Sequence, residues 1–196
     1  MAQAKANLAE SESLAGEVGG QWPPFWFLFA SARLAGMMGD VEKARVQYRQ
    51  SADAARKMGN LRIVYSCNSE IAHLLRKHGK IDEALEIYLQ VLPRWKELGH
   101  RAAVAHELEC IAFILIQKSQ PERAVTLLGA AEALRQLIDS TMTPPERTDY
   151  ERVVSELRAN VNENTFKQLW DAGRAMNMDQ AVEYALKESN EQSETS

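Results

Sequence analysis

The sequence predicts an all-α fold: a solenoid of antiparallel helix pairs with a 40-residue period, closed by C-terminal helices. Three observations predict it. The stretches "GDVEKARVQYRQSADAARKMGN" from Gly39, "GKIDEALEIYLQVLPRWKELGH" from Gly79 and "SQPERAVTLLGAAEALRQLIDS" from Ser119 start at one constant interval; Ala44, Ala84 and Ala124 fall in register, as do Tyr48, Tyr88 and Leu128. Upstream of each lies a second periodic stretch, in which Ala32, Ala72 and Ala112 align, as do Ala35, Leu75 and Leu115. Within the stretches apolar residues recur at steps of three and four, as in Ile81, Leu85, Tyr88 and Leu92, which is the stripe of an amphipathic helix. Self-similarity of this length at a fixed period marks an array. One helix pair cannot bury its own stripe, so neighbouring pairs must stack.

The elements follow in order. Gly19 and Gly20 stand one full period before Gly59 and Asn60, and Ala4, Leu8, Ser11 and Val18 fit the second helix of a pair. Residues 1–20 therefore read as that helix, in a truncated or capping repeat. The chain then begins inside a unit and reads as a piece of a longer protein; the other reading is a true start with a lone capping helix. Residues 21–140 hold three helix pairs. The glycine at each turn between paired helices can adopt a left-handed conformation that closes the first helix. Gly59 and Gly99 mark the far ends of the first two pairs, and Ser119 replaces the turn glycine of the third. Pro121 suits a first helical turn, where its missing N–H would be unpaired anyway. The aligned alanines fit helix crossings, where a larger side chain would push the backbones apart.

Past residue 140 the register breaks. A threonine before a double proline opens a helix with a stripe through Tyr150, Val153, Val154 and Leu157. A second helix runs through Phe166, Leu169 and Trp170, and a short third has Asp179 near its start. An array needs its last apolar face hidden, so residues 141–186 read as capping helices. Residues 187–196 are polar and lack periodicity, and are expected to be a disordered tail.

Composition narrows the function classes. Hydrophobic residues make up 45% and charged residues 26% of 196, which is ordinary for a soluble globular protein. The net charge of −4 leaves no basic footprint for direct nucleic-acid binding. Cys67 and Cys110 make no disulfide framework and fit a reducing compartment, so the expectation is cytoplasmic. "WPPFWFLFA" is about half the length that crosses a bilayer, so no membrane partner is expected.

The repeat resembles the tetratricopeptide repeat. The second unit places Ile71, Ala72, Leu75, Gly79, Ala84 and Tyr88 at the family's offsets. Asn68 stands where the family often has tryptophan, and the period exceeds the family's usual one, so the helices should be longer by about a turn. That resemblance implies a right-handed solenoid whose first helices line a concave groove. On the family's offsets the groove takes Trp26, Phe29 and Arg33 from the first unit, then Ser69, Glu70, His73, Arg76 and Lys77 from the second. His106, Glu109, Cys110 and Phe113 come from the third. The functional reading is a groove for a peptide, another domain or a small effector. The plain reading is that Trp26 and Phe29 pack against an upstream unit and the charges are solvated. A closer resemblance follows from the order of "PERAVTLLGAAEALRQ", "PPERTDYERVVSELR" and "FKQLWDAGRAMNMDQAVEYAL", which is similar to the C-terminal end of bacterial signalling ATPases, LuxR- and MalT-type transcriptional regulators included. It implies a sensor or scaffold region acting on upstream domains of the same polypeptide. The alternative is a free-standing adaptor that holds a peptide of a partner protein. No phosphate-binding loop is present in this stretch to assign ATP hydrolysis to it.

No enzyme is expected, and no cofactor or metal. His73, His78, His100 and His106 lack zinc-site spacing. His106 and Cys110, four apart with Glu109 between them, could offer two metal ligands, but read as packing plus a surface histidine. Glu107 and Glu109 point to different helix faces, so no acid–base pair is expected. If an upstream unit is missing, the apolar N-terminal region is left uncovered, and a homodimer through it is expected.

Overall fold

The computed structural model describes residues 24–191, which leaves the helix expected over 1–20, Gly19 and Gly20, and the last five residues of the expected tail outside the described residues. Among the described residues there are nine helices and no strand: α1 Pro24–Met37, α2 Val41–Lys57, α3 Leu61–Lys77, α4 Ile81–Glu97, α5 Arg101–Gln117, α6 Pro121–Leu137, α7 Pro144–Asn160, α8 Glu163–Arg174 and α9 Met178–Glu191. Helices α2, α4 and α6 begin at Val41, Ile81 and Pro121, and α3 and α5 at Leu61 and Arg101, so both sets keep the interval seen in the sequence. Helix α9 ends inside the segment 187–196, four residues beyond its start. None of these helices is long and apolar enough to cross a membrane.

The spacing has a local cause. Each break between α1 and α5 is three residues long, and its middle residue is left-handed: Gly39 (φ 82°), Gly59 (72°), Gly79 (76°) and Gly99 (66°). The N–H of the next residue reaches back to a carbonyl five residues earlier. Asp40 donates to Ala35 at 3.0 Å, Lys80 to Leu75 at 3.0 Å, and Gln120 to Leu115 at 2.8 Å. This closure satisfies a carbonyl that the helix end would otherwise orphan. Asp40, Asn60 and His100 then cap the following helix, accepting from the N–H groups of Lys43, Ile63 and Ala103.

The turns that close α5 and α6 manage without glycine, at Ser119 (φ 59°) and Asp139 (φ 49°). A side chain there crowds the following carbonyl and costs about 1 kcal/mol. Ser119→Gly and Asp139→Gly are therefore each expected to stabilise the fold by about 0.5–1 kcal/mol in thermal or urea unfolding. Loss of stability in both variants would contradict the left-handed turns.

The chain divides between Ile87 and Tyr88, within α4, into two compact units. In the first, α1 packs on α2 and α2 on α3. Phe25, Ala32, Ala44, Tyr48, Ala55 and Cys67 form its buried interior. The Ser51 hydroxyl donates to the Phe25 carbonyl at 2.8 Å, and the Gln47 amide nitrogen donates to Ser31 at 2.9 Å across the α1–α2 seam.

In the second unit α6 is central. Helices α5, α7, α8 and α9 all pack on it, and every residue from Ala124 to Ala131 is buried. A helix apolar on all sides belongs in an interior, and one amphipathic stripe would not serve it. Helix α8 comes close, because two glycines let the backbones meet. A Cβ on Gly129 would sit 3.1 Å from the carbonyl carbon of Trp170, and one on Gly173 would sit 2.9 Å from that of Thr126 and 3.0 Å from the Ala130 nitrogen.

Candidate functional site

The residues expected to line a groove fall in both units. In the first, Trp26 is 47% exposed and its ring tilts against buried Phe25 at 5.4 Å between centroids. Phe29 is half-buried, edge-on to Tyr48 at 5.3 Å. Arg33 is exposed, with Nε 4.0 Å from the Glu70 carboxylate. The other oxygen of that carboxylate accepts from the Tyr48 hydroxyl at 3.3 Å. Burial, then the Glu70 charge, pushes the Tyr48 pKa above the ordinary tyrosine range, which keeps that hydroxyl a donor. Ser69, His73 and Arg76 are half-buried on α3, and Lys77 is exposed. The structure thus joins Phe29, Arg33 and Glu70 around Tyr48. Cys67 is buried beneath, its thiol pushed up to about 11 by burial, which favours an inert thiol.

In the second unit the sequence pointed to His106, Glu109, Cys110 and Phe113 on α5. Phe113 is half-buried. Glu109 is only 4% exposed, because Arg135 of α6 takes both its oxygens, Nε to Oε1 at 2.6 Å and Nη2 to Oε2 at 2.7 Å. A parallel pair of this kind is among the strongest side-chain contacts. Arg135 also reaches the Ser140 hydroxyl at 3.4 Å. Glu146, in the first turn of α7, accepts from both the N–H and the hydroxyl of Thr143 at 2.8 Å. His106 stands between the two acids, with Nδ1 3.9 Å from Glu109 and 3.9 Å from Glu146, while Nε2 lies 3.6 Å from the Cys110 sulfur. This cluster ties the start of α7 to α5 and α6. Beside it opens a cleft of ≈ 220 Å³ bordered by Glu132, Arg135, Asp139, Ser140, Met142 and Tyr150.

The charges follow from these contacts. The Cys110 sulfur, assisted by Glu107 and Glu109, pushes the His106 pKa up to about 10 against the cost of burial. For Glu146 burial works upward, but the two bonds from Thr143 and the nearby His106 and Arg135 outweigh it and leave the carboxyl below its usual range. Burial raises Tyr150, with Glu132 and Glu109 adding to it. The raised histidine contributes stability that is complete below its unfolded value of about 6.5 and is lost as pH rises through its folded value. The depressed Glu146 contributes stability that is present above its unfolded value and lost as pH falls through the folded one. An NMR titration of the His106 ring is therefore expected to show an imidazolium still protonated at pH 8. A midpoint near 6.5 would contradict this arrangement.

Glu107 and Cys110 are both 1% exposed, so this cluster offers no open nucleophile or acid–base pair. Among the described residues no group of three His, Cys, Asp or Glu side chains could hold a metal ion. Sequence reasoning missed Arg135, Glu146 and Tyr150. A signal for Arg135 existed: a carboxylate at position 109 in the apolar helix "RAAVAHELECIAFILIQ" requires a cation if it faces inward. Which cation, in a later helix, was not written in any local pattern. No protein-family model matches the chain, and neither a curated protein nor a solved structure matches it.

Proposed function

We propose that the chain is a non-enzymatic helical-repeat interaction domain of tetratricopeptide type, a right-handed solenoid that takes a partner or effector in the groove lined by its first helices. It would be the C-terminal sensor region of a bacterial signalling ATPase or transcriptional regulator, working in the cytoplasm. The observation that supports the reading most is the recurrence of helix starts and left-handed turn residues at one fixed interval along the chain. Arrays of this kind serve chiefly as binding surfaces. Occupation of the groove would shift upstream domains between resting and active states by the difference in its affinity for the two.

Photo-crosslinking in producing cells tests the binding role. A crosslinker replacing Trp26, Arg33 or Lys77 is expected to trap a discrete species, and one replacing Arg152 or Glu156 of α7 is not. Equal or absent trapping from both sets would count against the groove. The genomic frame tests the assignment to a larger protein: a GxxxxGK[ST] loop upstream in the same frame is expected, and an independent start at Met1 would contradict it.

A further inference from the structure

A second cavity lies in the second unit, bordered by none of the residues expected to line the groove. It measures ≈ 520 Å³ and is bordered by Arg101 at the start of α5, Leu134 and Leu137 near the end of α6, Arg174 of α8, and Met176 and Met178 at the α8–α9 turn. The walls are aliphatic and thioether groups, and methionine surfaces adapt to ligand shape. Leu137 is 68% exposed although it is a large apolar residue.

The charges around this cavity are unequal. Asp179 at its edge is matched by Lys96 at 3.2 Å. Arg174 is matched by Glu132 at 3.6 Å and also donates to the Gln136 amide at 3.1 Å. Arg101 has no carboxylate partner among the described residues, and α5 carries no acid in its first turn. It is a cation at the end of a helix where the backbone dipole is already positive, so a bound anion would relieve both. The turn beside it is firmly built: Asn177 and Gln180 exchange bonds, each side-chain carbonyl accepting from the other's N–H at 2.9 Å.

We infer that this cavity binds a small amphiphilic carboxylate, its aliphatic body against Leu134, Leu137, Met176 and Met178 and its carboxylate on Arg101. The volume falls in the range of about 300–1,000 Å³ typical of small-molecule sites. A protein partner would need about 800 Å² on its side, far more than these few side chains present. The inference does not depend on the groove, which involves none of these residues.

Octanoate is the probe, with octanol as the uncharged comparison, and titration calorimetry with methionine-methyl NMR as the readouts. Octanoate is expected to bind and to shift the Met176 and Met178 methyl signals, and octanol to bind at least about tenfold more weakly. Arg101→Gln, at an exposed position, is expected to weaken octanoate about tenfold or more with unfolding unchanged. Leu137→Glu, also exposed, places a like charge in the wall and is expected to abolish binding. Absence of octanoate binding at millimolar concentration would overturn the inference. So would equal affinity for octanol, or an Arg101→Gln affinity unchanged from the parent.

Discussion

Gly173→Ala is expected to lower the melting temperature by about 2–8 °C. The added carbon meets backbone atoms, the Thr126 carbonyl and the Ala130 nitrogen, so no side-chain rotation relieves it. Helices α6 and α8 must move apart, and overpacking of this kind costs about 1–3 kcal/mol, occasionally more. Alanine regains about 1 kcal/mol in helix propensity, which at a site without backbone contact would have made the change favourable. The balance is decided by α6 being buried on every side, with no free face toward which to shift. In a domain of this size each kcal/mol moves the midpoint by about 2–4 °C. Gly129→Ala, facing the Trp170 backbone, should behave alike. A midpoint raised by either substitution would mean that the helices do not cross there.

Arg135→Met is expected to cost about 3 kcal/mol at neutral pH, because it strands the buried Glu109 carboxylate. His106 at 3.9 Å supplies only part of the lost charge. Acid should narrow the deficit, since protonation neutralises the stranded group. Glu109→Leu combined with Arg135→Met should recover most of the loss, because an apolar pair of similar volume leaves no orphaned charge. A double variant no more stable than Arg135→Met would show that the ion pair is not the cause. Since Glu146 and Thr143 belong to the same cluster, the end of α6 and the start of α7 should lose hydrogen-exchange protection together in Arg135→Met.

These two sites show where the sequence was legible and where it stopped. The helix starts at Val41, Ile81 and Pro121 were readable because each follows a turn whose chemistry is local: one left-handed residue, joined at Val41 by the Asp40 cap and at Pro121 by the proline itself. The aligned alanines were readable as small residues, and Ala32, Ala44, Ala72, Ala84, Ala112 and Ala124 are all completely buried. The helices after residue 140 were readable from apolar periodicity, down to Asp179 in the first turn of α9. Partners across space were not. Gly129 and Gly173 stand two helices apart in the chain, and nothing local to either says that the other is its neighbour. Glu109 was placed on a groove face by analogy of offset; in the structure it is buried against Arg135, a contact fixed by how α5 meets α6. The Tyr48–Glu70–Arg33 group has the same character, since it requires α1, α2 and α3 at once. A cavity such as that beside Arg101 is beyond periodicity altogether, because several helices and a turn contribute to its border.

Backbone φ angles from NMR couplings and chemical shifts test the repeat register most directly. Positive values are expected at Gly39, Gly59, Gly79, Gly99, Ser119 and Asp139, with unbroken helical values along each helix from α2 to α6 between successive turns. Right-handed or extended values at Ser119 and Asp139, or strand values anywhere from Val41 to Leu137, would contradict it.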